Sequence, residues 1–286
     1  MNNALEITDL GKEFKDFTLK DVTFSLPKGY IMGFVGKNGA GKTTTIRLIL
    51  NMIARNSGKI KIFGMDNILE EQIIKQDIGV VFDEIFFVDS WKVSEVEKVV
   101  KSFYSKWSSQ LYKKYISSFD LPADKKVKEL SRGMKIKLML AVAMSHEAKL
   151  LILDEPTSGL DPVVRDELLD ILSEYISDGE KTILFSTHIT SDLEKIADYI
   201  TLIDNGRIFY TGTKDDLLES FQIIKGGLND LTTLLRERII GITKNSTGFS
   251  GLIPTSETKH LSKEIVTETP SIDDILVYIS KGVRKL

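Results

Sequence analysis

Gly36-Lys37-Asn38-Gly39-Ala40-Gly41-Lys42-Thr43 decides the reading of this chain. It has the form G-x-x-x-x-G-K-[ST], a glycine-rich loop whose backbone N–H groups converge on phosphate oxygens. In such a loop Lys42 reaches the outer phosphates as a point charge, and the Thr43 hydroxyl holds Mg²⁺. The flanks fit. Ile31-Met32-Gly33-Phe34-Val35 reads as a short buried strand, and Thr44 to Leu50 as the helix that follows. The positive end of that helix then faces the phosphates. The loop positions expected to hold nucleotide are Gly36, Asn38, Gly39, Ala40, Gly41, Lys42, Thr43 and Thr44.

Outward from the loop, strands and helices alternate. Leu5 to Thr8 and Thr18 to Leu26 read as strands, the second closed by the turn Pro27-Lys28-Gly29. Lys59 to Phe63, Ile78 to Phe82, Leu150 to Leu153 and Thr182 to Phe185 read as further strands. Ile200 to Ile203 and Arg207 to Tyr210 form a hairpin about Asn205-Gly206. Residues from about 84 to 147 are helix-like throughout. Ser94-Glu95-Val96-Glu97 has the form of a capping box for a helical stretch reaching Phe119, and a second helix runs from Ser131 to Ser145. Asp161-Pro162 supplies an N-cap and first-turn proline for a helix to about Ile176. The pattern is α/β, with a mainly parallel sheet covered on both faces and a helical insert. Past Phe221 only a short amphipathic helix through Ile272, Ile275, Leu276 and Ile279 is legible, and residues 219–286 carry no fold assignment.

Composition narrows the class. The 286 residues are 42% hydrophobic and 28% charged, as in ordinary globular chains. A net charge of −3 makes no electrostatic case for nucleic acid as a partner. Without cysteine there is no disulfide framework and no thiolate metal site. No apolar run reaches the roughly 18 residues that span a bilayer. Met1 to Glu6 lacks a basic segment followed by an apolar one, so no secretion leader is expected.

Further residues carry chemistry. Leu150 to Leu153 delivers Asp154 and Glu155 to the carboxyl end of a strand, where ligands sit in open α/β sheets. Asp154 suits Mg²⁺, which takes oxygen ligands and keeps several waters. Glu155 points elsewhere and can poise a water for attack on a γ-phosphate. His188, in Ser186-Thr187-His188, reads either as a hydrogen-bonding partner of phosphate or water, or as a structural histidine. Phe14, between polar neighbours, is a candidate to stack on adenine, with Phe17 as its competitor. Leu130-Ser131-Arg132-Gly133-Met134 opens a helix with a second anion-binding end, which reads as the site for a partner copy's nucleotide. Ser131 also reads as a plain N-cap.

These segments together resemble the ATP-binding subunit of an ABC transporter. Gly36 to Thr43 matches Walker A, Leu130 to Met134 the signature, Leu150 to Glu155 Walker B, Ser158 to Asp161 the D-loop and His188 the switch histidine, over roughly residues 4–218. Within that family the chain resembles single-cassette subunits of bacterial ABC-2-type exporters of the antimicrobial-peptide and antibiotic-resistance kind. The resemblance implies a P-loop NTPase ABC cassette over 1–218. It would have an N-terminal antiparallel β part, a helical subdomain at about 84–147, and a small C-terminal extension over 219–286. It implies ATP and Mg²⁺ as cofactors, and a second ABC cassette bound head to tail. In that dimer Ser131, Gly133 and Asp161 meet the nucleotide, and Glu155 and His188 are catalytic. A separate integral-membrane permease and a cytoplasmic position on the inner face of the cell membrane follow from the same resemblance. A soluble, non-transport ABC ATPase stands as the alternative.

Two segments depart from the pattern. Arg132 and Met134 replace a glycine and a glutamine of the signature, and Asp83-Glu84 stand where the Q-loop glutamine belongs. Asp83 is the candidate for that residue's metal role, with shorter reach and no hydrogen to donate when ionised.

Overall fold

A computed structural model describes residues 3–262 and 264–282. The chain forms two units, Met1–Phe209 and Tyr210–Leu286. This division falls ahead of the 218/219 boundary expected from sequence.

The first unit opens with β1 (Asn3–Glu13) and β2 (Thr18–Pro27), which pair antiparallel. Next come β3 (Ile31–Val35) and α1 (Lys42–Ile49), with the phosphate-loop segment between them. β4 (Ser57–Ile62) and β5 (Met65–Asp66) complete a four-stranded sheet of order β2-β1-β4-β5. The segment α2 (Glu71–Gln76) leads into β6 (Ile78–Val81). Then come the helices of the insert, α3 (Val93–Val100), α4 (Ser109–Ser118) and α5 (Arg132–Ser145). Strands and helices alternate again through β7 (Leu150–Asp154), α6 (Pro162–Tyr175), β8 (Thr182–Thr187), α7 (Thr190–Ile196), β9 (Tyr199–Asp204) and β10 (Arg207–Thr213).

The core sheet runs β10-β9-β3-β8-β7-β6. β3 pairs parallel with β8 and β9, and β7 with β6 and β8. β3 and β7 are buried along their whole length, which is why they read as unbroken apolar runs instead of alternating ones. Phe34 and Phe185 are fully buried, each contributing about 1.5–3 kcal/mol of hydrophobic stabilisation. Asn205 and Gly206 both have positive φ, the geometry of a tight hairpin turn.

The insert differs from the expected pair of long helices. The stretch up to Phe119 breaks into α3, a 3₁₀ turn at Lys101–Phe103 and α4. Its cap lies two residues earlier than expected. The Glu95 carboxylate accepts the Lys92 backbone N–H at 2.9 Å, so Ser94 sits inside the helix.

The second unit, unassigned from sequence, has a recognisable topology. After α8 (Lys214–Ser220) come β11 (Phe221–Gly226), α9 (Thr233–Arg238), β12 (Ile240–Lys244), β13 (Phe249–Pro254), β14 (Val266–Glu268) and α10 (Ile272–Gly282). The sheet order is β12-β13-β11-β14, with antiparallel neighbours throughout. Helix α9 therefore links two non-adjacent strands with β13 inserted between them, the split βαβ arrangement. A short 3₁₀ segment, Thr255–His260, stands where a second crossover helix would lie. Ile224, Leu231, Leu235, Ile239, Phe249 and Ile253 form its core. Helix α10 begins with a reciprocal cap. The Asp274 carboxylate accepts from the Ser271 backbone at 3.0 Å, and the Ser271 hydroxyl accepts from the Asp274 backbone at 3.1 Å.

Candidate nucleotide-binding site

The site is assembled where β3, β7 and β8 end side by side. Gly41 is the N-cap of α1 with φ +114, a left-handed conformation that glycine adopts without steric cost. Helix α1 has no side-chain cap and no acidic residue in its first turn. Its end therefore keeps the character of an anion site, with backbone donors and the positive dipole uncompensated by side chains. Lys42, 5% exposed, curls back over the loop. Its ammonium donates to the carbonyls of Gly36 at 2.7 Å and Lys37 at 3.2 Å.

Glu155 meets Lys42 from the other side, with Oε1 3.0 Å from the ammonium. Its second oxygen lies 2.7 Å from His188 Nδ1 and accepts the His188 backbone N–H at 3.3 Å. A carboxylate partner fixes the tautomer in which Nδ1 carries the hydrogen. Glu155 has φ +52, an uncommon value for a residue with a side chain. Its backbone N–H donates to the Ser186 carbonyl at 3.0 Å, and its carbonyl accepts from Ser158 at 3.2 Å. These bonds hold the turn that aims the carboxylate between Lys42 and His188.

Asp154 lies beneath, 4% exposed. Burial pushes its carboxyl above the usual range, and hydrogen bonds from the Thr43 and Ser186 hydroxyls offset this only in part. Ser186 Oγ is 3.1 Å from Asp154 Oδ1. A buried carboxylate beside the Thr43 hydroxyl is a hard-oxygen donor set whose charge a divalent cation would relieve, so these residues fit Mg²⁺.

Other expected residues lie elsewhere or do more than expected. Ser131 caps α5, its hydroxyl accepting from Met134 N–H at 3.3 Å. Gly133 is buried. A Cβ there would lie 2.6 Å from Val164 Cγ1, so the missing side chain lets α5 pack against α6. Asp161 caps α6, its carboxylate accepting from Val163 and Val164 at 3.1 Å each. Phe14 is 46% exposed. Its competitor Phe17 borders the loop itself, with Cζ 3.0 Å from where a Gly41 Cβ would be. Asp83, the candidate for the Q-loop residue's metal role, has its carboxylate bound by the Arg132 guanidinium.

Sequence reasoning passed over a buried network behind the site. Asp192, fully buried, accepts from the Thr157 hydroxyl at 2.6 Å and pairs with Arg165. Arg165 also donates to Ser191 Oγ at 2.5 Å. The network joins the loop after Glu155 to the helix after His188. Its only sequence signal is an acid and a base near those motifs.

Comparison with known proteins shows the family. The family described as ABC transporter matches residues 19–158. The ABC transporter ATP-binding protein YtrB of Bacillus subtilis (strain 168) is 27% identical over 98% of this chain and 99% of its own length. The Nod factor export ATP-binding protein I of Neorhizobium galegae is 31% identical, over 82% of this chain and 71% of its own. The bacitracin transport ATP-binding protein BcrA of Bacillus licheniformis is 32% identical, over 73% and 69%. A solved structure of the ATP-binding subunit of an ABC transporter superposes with TM-score 0.68 at 29% identity. It covers 75% of this chain and 91% of that one. With a loop-bound lysine, a carboxylate pair at a strand end and a histidine at its neighbour, the chain belongs to the ATP-binding, ATP-hydrolysing subunits of the ABC transporter family.

Proposed function

We propose that this chain powers export through a separate integral-membrane permease, with two cassettes closing head to tail around two ATP molecules. The observation that carries the hydrolytic part is the placement of Glu155 between Lys42 at 3.0 Å and His188 at 2.7 Å. A triphosphate entering the loop takes over the Lys42 ammonium from the Gly36 and Lys37 carbonyls, and releases Glu155 to orient water. Glu155 is the general base, and such a base is worth about 10²–10⁴ in rate. His188 orients that base through Nδ1–H. Thr43 and Asp154 would hold Mg²⁺, which would neutralise phosphate charge when bound. Phe14 or Phe17 stacks on adenine.

In the closed pair, Ser131 and the start of α5 from one copy approach the phosphates held by Lys42 of the other, with Gly133 and Asp161 shaping that surface. Export is the reading because relatives over most of the chain are named for Nod factor export and bacitracin transport. No described helix is long and apolar enough to cross a membrane; the path is assigned to a permease because the export relatives are themselves named as ATP-binding proteins. The subunit then works on the inner face of the cell membrane. Affinity purification from detergent-solubilised membranes tests this. The expected result is co-purification with a polytopic membrane protein, and ATP hydrolysis that rises in its presence. Isolation of the chain with ribosomal or DNA-bound partners instead would contradict it.

A further inference from the structure

Two of the residues that depart from the family pattern, one in each departing segment, meet each other. Arg132 Nη2 donates to Asp83 Oδ1, and Arg132 Nε donates to the Ser158 carbonyl at 2.7 Å. One guanidinium thus joins three segments. They are the first turn of α5, the stretch after β6, and the loop between β7 and α6. Gly159, with φ +68, makes the left-handed turn that follows Ser158 beside this contact. A merely solvated arginine would spread its donors into water, whereas two of these donors have acceptors on different segments.

We propose that Arg132 and Asp83 are a positioning pair for ATP hydrolysis, a role that rests on the shared-site reading above. The pair holds Ser131 and the start of α5 in register with the loop that follows Glu155. The surface offered to a second copy's nucleotide then moves as one piece. Neither residue touches the reacting atoms. Each departure supplies the other's partner: the arginine gives the carboxylate its cation, and the carboxylate fixes the arginine across the loop. The side chains are 42% and 52% exposed, so the pair is screened by salt and its effect is modest, about two- to fivefold.

The test uses the full chain and the variants Asp83→Ala, Arg132→Ala, their double, and the swap Asp83→Arg with Arg132→Asp. Steady-state hydrolysis is measured at low and high salt, alongside binding of a fluorescent ATP analogue to the single chain. Each single alanine is expected to lower kcat about two- to fivefold at low salt, with analogue binding unchanged. The double should be no worse than either single, the swap should recover part of the loss, and high salt should shrink every difference. Losses that multiply in the double, or an Asp83→Ala chain with wild-type kcat, would overturn the pair. Hydrogen exchange without nucleotide separates this from the shared-site reading. The Met134 and Leu160 amides are bonded to Ser131 Oγ and the Thr157 carbonyl. Asp83→Ala should speed their exchange about two- to fivefold, whether or not the wild-type chain dimerises on ATP. Unchanged exchange removes the pair.

Discussion

The Lys42 ammonium and Glu155 Oε1 stand 3.0 Å apart, with side chains 5% and 15% exposed. At such a site each charge depends on the other, because an unpaired buried charge is expensive. Lys42→Ala removes the triphosphate's main cation and takes the ammonium away from Glu155 Oε1, leaving that carboxylate its His188 contacts alone. We expect ATP affinity to fall at least about tenfold, equivalent to ~1.4 kcal/mol. Equilibrium titration with a fluorescent analogue measures it, and wild-type affinity in that variant would remove Lys42 from the site.

Gly133 gives a packing prediction independent of nucleotide. A Cβ would sit 2.6 Å from Val164 Cγ1, so α5 or α6 must shift to admit it. Gly133→Ala should destabilise the chain by about 1–3 kcal/mol, read as a lower denaturation midpoint. Gly133→Ala with Val164→Ala should recover most of the loss. A single variant as stable as wild type would show that the helices yield freely.

His146 predicts how stability varies with pH. The imidazole is 1% exposed and stacks on Tyr104, with ring centroids 3.8 Å apart. Burial pushes its pKa down from 6.5 to about 4. As pH falls from about 6.5 toward 4, the unfolded chain takes up this proton and the folded chain does not. The histidine's contribution to stability is therefore full above 6.5 and is lost through that window, up to about 3 kcal/mol. Denaturant midpoints against pH check it. His146→Phe should flatten the slope between those values, and an unchanged slope would place the effect on other groups.

Much of this architecture is legible in the sequence because its signals are local. Strand β3 and Leu150–Leu153 of β7 are continuous apolar runs, β8 carries Ile183-Leu184-Phe185 at its centre, and Ser131 and Asp161 are N-caps that bond within three residues of themselves. What escapes reading is the long-range pairing. Nothing near His188 announces that its imidazole meets Glu155, and nothing near Arg132 announces Asp83. The cap at Lys92 was hidden because Ser94 offers the more familiar capping pattern, while Glu95 reaches back to the earlier backbone. The sheet of the second unit was hidden for another reason. β14 is three exposed residues, and β11 to β13 mix apolar residues with glycine, lysine, serine and threonine, so they lack the unbroken apolar run that marks β3 and β7.

The central claim is that the loop at Gly36–Thr43 is half of a site that a second copy completes. Light scattering of Glu155→Gln with Mg²⁺ and ATP tests it most directly. This variant is expected to bind ATP, hydrolyse it at least about 10²-fold more slowly, and double from its monomer mass of 32.2 kDa. Adding Ser131→Arg is expected to return it to monomer with ATP still bound. A monomer in the first variant, or a dimer that survives the second substitution, would contradict the shared site.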